Sequence, residues 1–283
     1  MKSGLRSVLL LAAGWALLSS TAPCALAQAA DLASKGREVF AKHRDCVVTV
    51  QLVIKTKMNI PGFGGGDNAR ESREEVTGTV IDPSGLTVVA LSSVDPMGAL
   101  QGMMGGLGGD DGEGLKMKME SDVADVKVLG QDGTEIPAEI VLRDKDLDLA
   151  FLRPKAPPSA PMKALDLTAP GTAEILDEVI AINRLGKVAG RAYSVALERI
   201  CAVVRKPRLF YVPGNSATST SLGCPAFTAD GKVVGVFVMR SLKSGGEGMS
   251  LFNPQNAGMT AILLPAEEVR KIAAQVPATG AGK

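Results

Sequence analysis

His43 is the only histidine in this 283-residue chain. It bounds the chemistry available, because a serine nucleophile near neutral pH needs a neighbouring base and imidazole is the usual one. His43 precedes the first strand-like run and ends a helical one, where it reads as a surface residue. The other soft ligands are few. Beyond the leader, Cys46, Cys201 and Cys224 form an odd set that allows at most one intramolecular disulfide, and whether Cys201 and Cys224 pair stays open. Their spacings fit no zinc motif, and one histidine argues further against a metal centre. They lie in or near apolar runs and read as buried, inert thiols. Met97, Met103, Met104, Met117 and Met119 share a glycine-rich stretch with Asp110, Asp111 and Glu113. These could bind soft copper or a flexible apolar partner. The alternative is a surface loop with methionines packed against a barrel. Glycines this dense preform no site and favour the loop, so no metal and no cofactor are expected.

The N-terminus reads as an export signal. Lys2 and Arg6 give a positive start, Ser7–Leu18 is apolar but too short to span a bilayer, and Ala25-Leu26-Ala27 fits a small-x-small cleavage site. Pro23 before Cys24 is a poor fit to a lipoprotein signal. The expected signal peptide is 1–27, placing the remainder in the periplasm or outside the cell with no stable membrane span. Removing its two cations takes the formal charge from +1 to −1. With no long basic run, nucleic acid is excluded as a partner.

The elements that must position any site come next. Aromatics are only 4% of the chain, so the core must be built from Val, Leu, Ile and Ala. Polar and apolar residues alternate with helical spacing over Asp31–His43, giving a leading helix within 28–44. Strand-like runs follow at Cys46–Ile54, Glu75–Asp82, Leu86–Leu91, Ala124–Leu129, Glu135–Leu142 and Leu149–Arg153. They form a first small barrel over 45–154, interrupted by the Gly/Met-rich insert 97–121. A Pro-rich linker occupies 155–161. A second barrel over 162–276 draws on Glu174–Asn183, Ala192–Val204, Ala226–Thr228, Val233–Met239 and Gly258–Leu264. Pro265 then opens a closing helix, Ala266–Gln275, and 277–283 reads as a disordered tail. No internal repeat is visible. The fold class is therefore all-β, a double β-barrel with a short helix at each end.

Four segments carry a resemblance. They are Val76–Pro96 (VTGTVIDPSGLTVVALSSVDP), Val126–Pro154 (ending DLAFLRP), Ser221–Val236 (SLGCPAFTADGKVVGV) and Gly258–Pro265 (GMTAILLP). In order and spacing they resemble the trypsin-like serine peptidases, in particular the HtrA-like branch. The resemblance implies the trypsin-like double barrel. HtrA proteins usually add a PDZ domain, and the expectation here is a form without one.

Carried over residue by residue, the resemblance implies a degenerate catalytic triad. Asp148 matches the aspartate that orients the histidine, with Asp146 as the alternative one register step away. The histidine position is filled by Ser92, with Ser93 beside it, and a serine hydroxyl cannot accept a proton near neutral pH. With Pro225 aligned to the family proline, Leu222 takes the nucleophile position and Gly223 and Cys224 take those of the two following glycines. A one-residue slip would put Ser221 at the site instead. Thr220 stands where a glycine should form the oxyanion turn with Gly223. Cys224 as a thiol nucleophile lacks a histidine to activate it.

These residues imply an exported, catalytically inactive homologue that binds peptide or protein segments in the former active-site cleft by strand addition, with Leu222 as an apolar contact. The alternatives are an active serine endopeptidase with a different alignment, or a metal-binding periplasmic protein using the methionine loop.

Overall fold

The computed structural model describes residues 23–59, 69–96, 98, 118–214, 222–241 and 259–278. Helix α1 (Pro23–His43) leads into β1 (Val47–Asn59), β2 (Ala69–Val80), β3 (Thr87–Ala90), the single-turn helix α2 (Leu91–Val94), β4 (Lys118–Leu129), β5 (Glu135–Asp144) and β6 (Leu149–Pro154). The second half holds β7 (Glu178–Arg184), β8 (Tyr193–Val204), β9 (Phe210–Pro213), β10 (Pro225–Phe227), β11 (Val233–Ser241), β12 (Met259–Pro265) and helix α3 (Ala266–Ala273).

The strands close into two six-stranded antiparallel barrels, all-β with a helix at either end. The first runs β1-β2-β3-β6-β5-β4 and the second β7-β8-β9-β12-β11-β10. The halves therefore share one winding, although no repeat shows in the sequence. Barrel packing asks only for alternating burial, which many unrelated residue strings satisfy.

That alternation is plain in β1. Val48, Val50, Leu52 and Ile54 fill the first barrel with Val89, Val128 and Leu152, while Val47 faces a different cluster with Leu149, Phe151 and Ile180. The second barrel is filled by Val179, Ile200, Tyr211, Phe237 and Leu263 around Cys224. The aliphatic core follows from the scarcity of aromatic residues.

Several bounds differ from the sequence pattern. β1 and β2 stay paired from Val47↔Thr79 out to Lys57↔Ala69, a longer hairpin than the apolar residues mark. Its outer residues are mostly polar in type, so no apolar alternation marks it in the sequence. β4 starts at Lys118, inside the expected insert. β9 has no counterpart in the sequence reading, because four residues beside Pro207 and Pro213 give too short a pattern.

The chain ends cross over. On α1, His43 Nε2 lies 3.1 Å from the Gly231 carbonyl of the β10–β11 turn, its ring stacks on Phe227 at 4.4 Å, and Phe40 meets Tyr193 edge-on at 5.3 Å. The helix that precedes the first barrel thus grips the second. After α3, the Pro277 carbonyl accepts from Arg153 Nη2 of β6 at 2.5 Å. Arg270 and Ala273 of α3, and Ala274 just after it, border a cleft with Ile81, Asp82 and Leu86 of the first barrel.

Candidate functional site

Asp148 closes the four-residue turn between β5 and β6 with φ +56°, a left-handed conformation unfavourable for a residue with a Cβ. Its surroundings hold it there. Its carbonyl accepts from Leu91 N–H at 2.9 Å. Its Oδ1 accepts from Ser92 N–H at 2.6 Å. Its Oδ2 accepts from Ser92 Oγ at 2.9 Å and from Met239 N–H at 2.6 Å. Burial raises the carboxyl above its ordinary range, with the three donors pulling the other way. Asp146, the one-step alternative, is exposed, and its carbonyl lies 3.4 Å from Arg240 Nη1.

Ser92 sits on α2, where β3 ends. Leu91 and Val94 are buried and anchor the turn, leaving Ser92 and Ser93 partly exposed. Its hydroxyl donates to the Asp148 carboxylate, which orients both groups.

Gly223 has φ +82° and lies between the barrels. Its N–H donates to Phe237 O at 2.8 Å, and its carbonyl accepts from Thr79 Oγ1 at 2.8 Å. Leu222 corrects one expectation. Its side chain is 4% exposed, inside the second barrel's core with Phe237, Tyr211 and Ala90, and so is not offered to a ligand. An aliphatic side chain gains more by entering that core than by lining a wet cleft. Thr220 and Ser221 lie outside the described residues, as does most of the methionine insert.

His43 corrects another. It is half-buried rather than on the surface, and burial, aided by the Lys42 charge, lowers its pKa below the ordinary value, with the Gly231 carbonyl opposing. Its ring is engaged by Gly231 and Phe227, on the α1 side of the second barrel. Cys46, Cys201 and Cys224 are free thiols. Burial pushes Cys46 up to about 12, and its Sγ donates to the His43 carbonyl at 2.8 Å. Cys224 is fully buried and its thiol is held well above the ordinary range. Cys201 is exposed. Among the described residues no group of three or more His, Cys, Asp or Glu side chains could hold a metal ion. No described helix is long and apolar enough to cross a membrane.

Several contacts escape sequence reasoning. Met239 contributes through its backbone N–H, which no residue type encodes. Thr77 Oγ1 donates to Asn183 Oδ1 at 2.5 Å across the barrels, and Arg191 Nη2 pairs with Glu75 at 2.7 Å. The alternation Thr77-Gly78-Thr79 puts two hydroxyls on one face of β2, a pattern that names no partner. A cavity of about 490 Å³ between the β4–β5 turn and the linker, lined by Ile136, Pro137, Pro157 and Met162, contains none of the Asp148 cluster.

Two closed six-stranded barrels of identical winding, meeting through β1 and β2 against β7 and through β3 against β11, and with a helix at either end, define the double-barrel peptidase fold. The sequence matches the trypsin-like peptidase domain over residues 76–236, more than half of its length, and the chain belongs to that family. No curated protein matches it.

Proposed function

We propose that this chain is a catalytically inactive, HtrA-like member of the trypsin-like family, exported through its first 27 residues, that works by binding extended peptide or protein segments. The observation that carries the reading is the Ser92–Asp148 pair. The carboxylate assigned to orient a catalytic imidazole is met by a hydroxyl at 2.9 Å, while the one histidine is engaged by Gly231 and Phe227. On this reading Leu222 stands at the nucleophile position, and base and nucleophile are both lost.

Strand addition is supported by the edge of β11 next to β10. There Phe237 exchanges bonds with Gly223 and Cys224, and Met239 N–H is taken by Asp148. Alternation along the strand puts the Met239 carbonyl and the Ser241 N–H next on that edge.

The test has two arms. The purified protein should hydrolyse neither casein nor peptide amides and should resist a fluorophosphonate probe; labelling at Ser221 would restore the active-peptidase reading. An extended peptide library should shift the amide signals of Met239–Ser241. Binding confined to other surfaces would remove the cleft from the function.

A further inference from the structure

We propose that the Asp148 carboxylate is a proton-released latch between the barrels, in which the Met239 N–H is the contact that lets go. The carboxylate belongs to the first barrel's β5–β6 turn. It holds two donors from Ser92, on α2 of the same barrel, and one from Met239, on β11 of the second.

The donors are not equivalent. Ser92 N–H and Met239 N–H can only donate, whereas the Ser92 hydroxyl can also accept. A proton on Oδ1 would face an N–H with nothing to accept it. A proton on Oδ2 is accepted by Ser92 Oγ once that hydroxyl rotates. Oδ2 is therefore the oxygen that takes the proton. It is also the oxygen that Met239 N–H shares, and that N–H has no means of reversing. Acidification thus preserves the Ser92 contacts within the first barrel and weakens the one that crosses to the second.

No cation pairs with Asp148 among the described residues. On its own turn, the Asp144 carboxylate accepts from Leu147 N–H, and Lys145 and Asp146 are exposed. On β11, the Arg240 guanidinium lies over the Phe210 ring at 5.4 Å and beside the Asp146 carbonyl. On the α2 side the nearest charge in sequence is Asp95, whose carboxylate accepts from Gly98 N–H. The group is partly buried without a counter-charge, which favours the neutral form.

Met239 lies at the end of the β11 edge read above as the peptide-binding edge. On that reading, which this part of the inference needs, the proton on Asp148 also sets how firmly the edge is held. The latch itself needs only the hydrogen bonds.

The test is a ¹H–¹⁵N titration of the full chain from pH 7 to pH 3, without peptide. Met239 and Ser92 amide signals should move with one common midpoint above the value of about 3.9 for a free aspartate. Below that midpoint the protection factor of the Met239 amide, its exchange relative to an unprotected amide at the same pH, should fall about tenfold or more, while that of Ser92 is retained. Asp148→Asn should give a Met239 protection factor that is low and no longer changes with pH. Should that variant fail to fold, the native titration alone decides. A Met239 signal indifferent to pH, a midpoint below 3.9, or simultaneous loss of protection at Met239 and Ser92 would overturn the latch. Peptide binding at β11 with no titration removes the latch and leaves the proposed function; titration without peptide binding does the reverse.

Discussion

Gly223 and Thr77 meet backbone to backbone between the barrels. A Cβ on residue 223 would overlap the Thr77 carbonyl oxygen and stand 3.5 Å from Ala90 N. The Thr77 carbonyl is backbone and cannot swing aside as a side chain would, and φ +82° is costly for any L-residue. Gly223→Ala should therefore lower the unfolding free energy by at least about 2 kcal/mol. Urea denaturation checks this. An unchanged midpoint would mean that the barrels can move apart at this point without cost.

Leu222 is packed in the second barrel, so changes there act on stability before they act on binding. Leu222→Ser should cost about 2–5 kcal/mol and generate no hydrolysis. Leu222→Arg should cost about 3–5 kcal/mol or prevent folding, because it buries an unpaired charge. Thermal melts of both variants decide, and a stable arginine variant would show that the side chain can swing into solvent.

Replacing the hydroxyl beside Asp148 tests the assignment of its position. In Ser92→His the introduced imidazole should donate to Asp148 and titrate above 6.5, since an adjacent carboxylate favours the imidazolium. His43 should titrate below 6.5 in the same spectrum. The variant should still leave casein intact. An introduced histidine that titrates at the free value would mean that residue 92 does not present its side chain to the carboxylate.

His43 also gives a pH dependence of folding. Its folded pKa is lowered, so between that value and the unfolded value of about 6.5 the unfolded chain binds more protons. This group's contribution is full above 6.5 and is lost as the pH falls through that window. His43→Phe keeps a ring on Phe227 without the titrating nitrogen. Its stability should change less between pH 7 and pH 5 than that of the native chain, as followed by urea midpoints. Parallel curves would assign the acid sensitivity elsewhere.

The legible part of this molecule was the part governed by alternation. Val48, Val50, Leu52 and Ile54 announce a barrel strand, and the apolar run at Leu149–Leu152 fixes where the Asp148 turn ends. β9 was illegible because Phe210–Pro213 is short and bounded by prolines. At the site, residue types alone left Asp146 and Asp148 unresolved, since both point the same way in an extended chain. The turn at φ +56° separates them, partly burying one residue and exposing the other. The direction of Leu222 could not be read either. A leucine beside a left-handed glycine can face inward or outward, and only the closed second barrel decides.

The crossed grip of the two flanking segments should hold the halves together without the connection between them. The helix ahead of the first barrel clasps the second through His43, and Pro277, beyond the last helix, reaches back to Arg153. A single protease cut within residues 155–161 would then leave two fragments, each carrying the clasp for the other. Such a nicked protein should elute from gel filtration as one species and separate only in denaturant. The two pieces, made apart, would be candidates for a split protein that reassembles on mixing.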